Sequence, residues 1–107
     1  MKAVCQALKA RGGIMDFAYD HFKTSEAVPP PYAIYRRVAK DNMSADDMVY
    51  FHDRGVDLEI YADTPEEMAD IMEQAEALLN GAELFWRLTG DTVYIDSEDF
   101  YESLYEL

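Results

Sequence analysis

Two histidines each stand beside an aspartate: His21 follows Asp20, and His52 precedes Asp53. Imidazole next to carboxylate is the unit from which acid–base and zinc sites are assembled. Such a site needs the fold to bring both pairs together; otherwise they are two partly exposed histidines near strand ends. The carboxylates of the acidic stretch after Asp41 raise calcium as a second chemistry. A calcium loop needs oxygen ligands at alternate positions and a central glycine. From Asp41 the alternate positions are Met43 and Ala45, so the pattern fails. Gly12-Gly13 lacks the Lys-Ser/Thr that completes a phosphate loop. The chain contains no Cys-x-x-Cys, no His-Glu-x-x-His and no nucleophile elbow. These residues therefore give no reason to expect an enzyme, a metal or a cofactor.

The whole chain sets the frame for those residues. At 107 residues, half of them hydrophobic and 13% aromatic, it has the material for one folded domain and not for two. No apolar run approaches the ~20 residues that cross a bilayer, and Met1 to Arg11 lacks the apolar centre of a signal peptide. A single cysteine, Cys5, makes no internal disulfide and suits a reducing compartment. The expected location is a cytoplasm.

Net charge is −13, which disfavours nucleic acid and anionic membrane as partners. The charge is also divided along the chain. Residues 1–40 hold seven basic and three acidic side chains; residues 41–107 hold two basic and nineteen acidic ones. Copies of such a chain could pack head to tail, basic part against acidic part, provided folding does not mix the two segments.

The elements follow from periodicity. Met1 to Arg11 reads as a helix with Val4, Ala7 and Leu8 on one face, ended by Gly12-Gly13. Ile14 to Phe22 alternates loosely as a strand, and Thr24 to Pro31 reads as a loop. Tyr32 to Val38 is a strand with Tyr32, Ile34, Arg36 and Val38 on one face and Ala33, Tyr35 and Arg37 on the other. Ala39 to Met48 reads as a polar loop, after which Val49-Tyr50-Phe51 resumes a strand pattern. In Val56 to Ala62, Val56, Leu58, Ile60 and Ala62 form a dry face and Asp57, Glu59 and Tyr61 a wet one, as in an antiparallel sheet covered on one side. Thr64, Pro65 and Glu67 mark a helix start, Met68, Ile71, Met72, Ala75, Leu78 and Leu79 its buried stripe, and Asn80-Gly81 its stop. Leu84 to Leu88 and Thr92 to Asp96 read as two strands around a Thr89-Gly90-Asp91 hairpin turn, with Phe100 to Leu107 as a last strand. The expected architecture is α+β: a mostly antiparallel sheet with two helices packed on one face.

Certain features also occur in a distinctive order. Ala7-Leu8-Lys9-Ala10 in the first helix is followed by Ala-Tyr-x-His-Phe at Ala18 to Phe22, then Pro29-Pro30-Pro31-Tyr32 and a strand containing Tyr35. Ser44-Ala45-Asp46 precedes Val49-Tyr50; Val56-x-Leu58-x-Ile60-Tyr61 precedes the Thr-Pro-Glu-Glu helix start. Tyr94-Ile95-x-Ser97-Glu98 comes before a closing Tyr105-Glu106-Leu107. Over nearly its whole length the chain resembles the short minor tail proteins of siphophages and prophages of Gram-positive bacteria, which are similar to tail-completion, or head–tail joining, proteins.

The resemblance implies a non-catalytic subunit that forms a ring, six-fold by expectation, on the head-proximal end of the tail tube. Its partners would be its own copies, the tail-tube protein and the head connector. It would reside in the host cytoplasm during assembly and then in the virion tail. The family brings no catalytic residue and no cofactor. By position, the Ala39 to Met48 loop matches a long inter-strand loop that contacts neighbouring subunits or the tube. This nominates Asp41, Asn42, Met43, Ser44, Asp46 and Asp47 as the interface. The competing readings are a head-side connector component and a small acidic regulator that binds a host protein by mimicking the charge of DNA.

Overall fold

The computed structural model describes residues 1–22, 28–39 and 54–107. Among these residues two helices and five strands follow in the order α1 (Lys2–Ala10), β1 (Asp16–Tyr19), β2 (Tyr32–Ala39), β3 (Arg54–Ala62), α2 (Pro65–Gly81), β4 (Arg87–Ile95) and β5 (Phe100–Glu106). The strands form one sheet in the order β1-β2-β3-β5-β4. β1 runs parallel to β2, and every other pair is antiparallel. The architecture is α+β, as the periodicities predict.

Helix α1 ends as Gly12-Gly13 requires. Gly12 takes φ +76°, and its N–H and that of Gly13 turn back to the carbonyls of Lys9 and Leu8. Gly13 lies against Gln74 of α2, so even a methyl group there would crowd the Gln74 amide and the Leu8 carbonyl. Val4, Cys5 and Leu8 form the buried stripe. Cys5 takes the place expected of Ala7, and burial pushes its thiol up to about 11. Asp16, at the start of β1, accepts from the Phe17 N–H and pairs with Lys9, which ties the helix end to the sheet.

Helix α2 gives the core more buried side chains than any other element described. Met68, Ile71, Met72, Ala75 and Leu79 are buried, and Leu78 packs at their margin. They meet Leu58, Ile60 and Ala62 of β3, Ala33 of β2 and Tyr105 of β5. The dry face of β3 is therefore the one the alternation indicates. Thr64 Oγ1 accepts from the Glu67 N–H at 3.1 Å, and the Glu67 carboxylate reaches back to the Asp63 N–H at 3.1 Å. The helix stop falls later than Asn80-Gly81. Gly81 is still helical, and Glu83 adopts φ +60° while the Leu84 N–H returns to the Leu79 carbonyl. A glutamate thus occupies the left-handed position that glycine usually fills.

The expected hairpin at Thr89-Gly90-Asp91 is not formed. Residues 87–95 are one strand beside β5 in place of the two expected. The register slips between Leu88 and Gly90 and again between Gly90 and Val93, so two β-bulges absorb the turn-like residues. Thr92, at φ +52°, gives its N–H to the buried Ser103 Oγ at 2.9 Å. The reversal comes at Asp96-Ser97-Glu98-Asp99, where Asp99 takes φ +59° and its N–H bonds the Ile95 carbonyl at 2.8 Å. Among the described residues no helix is long and apolar enough to cross a membrane.

Candidate functional site: an acidic, aromatic groove on the open face of the sheet

Both helices lie on one face of the sheet. α1 packs over β1 and beside α2, and α2 packs over β3 and β5. The other face carries the wet side chains of the central strands. Strand register sets Tyr32 opposite Tyr61, Tyr61 opposite Glu102, and Ile34 opposite Glu59.

The aromatic rings on this face form a cluster. Tyr32 stacks on Tyr61 with centroids 4.8 Å apart and planes 22° from parallel. Phe100 turns its edge to both, at 6.2 and 5.4 Å, and Phe22 does the same to Tyr32 at 5.3 Å. Beside them opens a groove of about 360 Å³, lined by Tyr32, Tyr61 and Phe100 and by Ile95, Ser97, Glu98 and Glu102.

Carboxylates converge on the same rings. Tyr61 Oη lies 2.6 Å from Glu59 Oε1 and 2.6 Å from Glu102 Oε2. A phenol carries one proton, so it donates to one carboxylate at a time. Burial, followed by these two hydrogen bonds, holds the Tyr61 hydroxyl far above the usual phenol range. Tyr32 is shifted the same way, first by burial and then by Glu98, Glu102 and Glu59. Glu59 has a second partner, since its Oε2 accepts from Arg36 Nη2 at 2.9 Å. The Arg36 Nε is buried without a hydrogen bond among the described residues, with Asp20 Oδ1 at 3.8 Å. Glu102 meets no cation among the described residues.

A second feature sits at the two edges of the sheet. The exposed large apolar residues among those described are Met15 and Tyr19, on the β1 edge, and Leu84, Phe85, Val93 and Tyr94, on or just before β4 at the opposite edge. Phe85 is 96% exposed and borders a cleft of about 340 Å³ with Trp86, Arg87, Glu106 and Leu107.

The sequence-derived candidates fall as follows. Asp41, Asn42, Met43, Ser44, Asp46 and Asp47 lie outside the described residues, as do Val49-Tyr50-Phe51, His52 and Asp53. His21 is exposed, with Nδ1 2.9 Å from Asp20 Oδ2. Among the described residues no three His, Cys, Asp or Glu side chains are grouped as a metal site. The groove is a feature that sequence reasoning missed. Its one legible signal was Tyr61 standing among Asp57 and Glu59 on the wet face of β3. No family model, curated protein or solved structure matches the chain.

Proposed function

We propose that this chain is a non-catalytic assembly subunit whose copies join edge to edge, head to tail, into a closed ring. The observation that carries the proposal is the difference between the two edges of the sheet. Strand order places most of the two charge segments at opposite sides of the sheet, and they meet where Arg36 of β2 pairs with Glu59 of β3. Lys2, Lys9, Arg11, Arg36 and Arg37 outnumber Asp16 and Asp20 with α1, β1 and β2, while on the other side the carboxylates of α2, β3, β4 and β5 outnumber Arg87. The large apolar side chains exposed among the described residues also lie at these two edges. A heterologous contact needs two unlike, complementary patches on one molecule, and these edges supply them.

The ring's place is the one the sequence resemblance implies: the head-proximal end of a phage tail tube, between the tube protein and the head connector. The α+β class suits that reading, and an acidic ring would let DNA pass without adhering to it. Electron microscopy of particles assembled without this protein tests the role. The expected result is tails of uncontrolled length or tails that fail to join heads. Normal particles would overturn it.

A further inference from the structure

We infer that the groove on the open face is a receptor for an arginine side chain, supplied by a neighbouring copy of the chain. Three observations converge on this ligand. The first is the acceptor count: two carboxylate oxygens stand 2.6 Å from one phenol oxygen that has a single proton, so one of these contacts lacks a hydrogen. Arg36 answers Glu59 from the β2 side, while Glu102 and the exposed Glu98 meet no cation among the described residues. The second is the wall chemistry. Tyr32, Tyr61 and Phe100 present π systems beside those carboxylates. Ring plus carboxylate fits a flat, delocalised, weakly hydrated cation, which stacks on the ring and forks onto the acid; it fits a strongly hydrated ammonium or metal ion less well. The third is charge complementarity. The basic side of the same chain exposes Arg11, at the end of α1, and Arg37, on the helix face of β2, neither of which forms an ion pair among the described residues. Arg11, which precedes the turn into β1, lies at the end of the sheet where the groove opens.

That a second copy is the source rests on the edge-to-edge assembly proposed above; the receptor chemistry does not. The test is an NMR titration of the Arg11→Glu/Arg37→Glu variant, which lacks the two unpaired arginines of the basic side, with acetyl-Gly-Arg-Gly-amide. The peptide with citrulline in place of arginine, matched in shape but neutral, is the control. The expected result is movement of the Tyr32, Tyr61 and Phe100 ring signals with the arginine peptide and not with the citrulline peptide. Adding Glu98→Gln and Glu102→Gln, which leaves the rings in place, should weaken binding about tenfold, the scale of two partly exposed ion pairs. No ring movement, or equal movement with both peptides, would overturn the receptor. Arginine-selective movement in a wild-type chain that stays monomeric at all concentrations would keep the receptor but overturn the second copy as its source.

Discussion

Tyr61 is the residue on which the open face turns. Its hydroxyl separates the Glu59 and Glu102 carboxylates, so Tyr61→Phe leaves two carboxylate oxygens facing each other with no donor between them. The expected cost is about 1–3 kcal/mol, the range for losing a hydrogen bond to a charged group, read from urea denaturation at neutral pH. The tyrosines also make a pH prediction. Burial, and then carboxylates as hydrogen-bond partners, raise the hydroxyls of Tyr61 and of Tyr105, which donates to Glu76. The folded state therefore holds these protons more tightly than the unfolded chain, where phenols titrate near ~10. Stability is fully present below that pH and falls as pH rises above it. Phenolate absorbance should show that these two tyrosines ionise only as the chain unfolds; their early titration in the folded protein would contradict this. Little of the groove was legible in the sequence. Tyr32, Tyr61 and Glu102 are distant along the chain and become neighbours through strand register alone, which alternation within one strand does not reveal.

Among the elements, α2 is the one to perturb. Ile71 is 2% exposed against β3, and Ile71→Ala should cost about 2–5 kcal/mol. Thr64→Ala, which removes the cap, should cost about 1 kcal/mol. The opposite sign is expected at the other end of the helix. Glu83 pays left-handed strain at φ +60° and places a negative charge at the negative end of the helix dipole. Glu83→Gly should stabilise the protein by about 0.5–1 kcal/mol, measured as a higher denaturation midpoint at unchanged slope. Most elements were legible because each carries its own period and its own ends, such as Thr64-Pro65 before α2 and Gly12-Gly13 after α1. The Thr89-Gly90-Asp91 hairpin was misread for a physical reason. Glycine with polar neighbours suits a bulge as well as a turn, and only pairing with β5 decides between them. The Glu83 stop was hidden because no glycine marks it.

At the scale of the whole molecule, charge and topology act together. The division between residues 1–40 and 41–107 was visible in the sequence, but whether it survived folding depended on strand order. With β1 and β2 at one edge and β5 and β4 at the other, it survives among the described residues. A net charge of −13 with no long basic stripe also predicts no shift of duplex DNA in a gel at physiological salt.

The central claim, that two unlike edges meet, is tested most directly by native mass spectrometry of two variants, alone and mixed, at low ionic strength. One carries Lys2→Glu, Arg11→Glu and Arg37→Glu on the basic side; the other carries Asp96→Lys and Glu98→Lys on the acidic side. All five side chains are exposed, so both variants should fold. Wild type should assemble into closed rings, and each variant alone should stay monomeric. In an equal mixture both contacts between unlike variants pair opposite charges, one untouched and one with its charges exchanged, so alternating rings should form again. A monomeric wild type, a variant that still closes rings by itself, or a mixture that stays monomeric would contradict the claim.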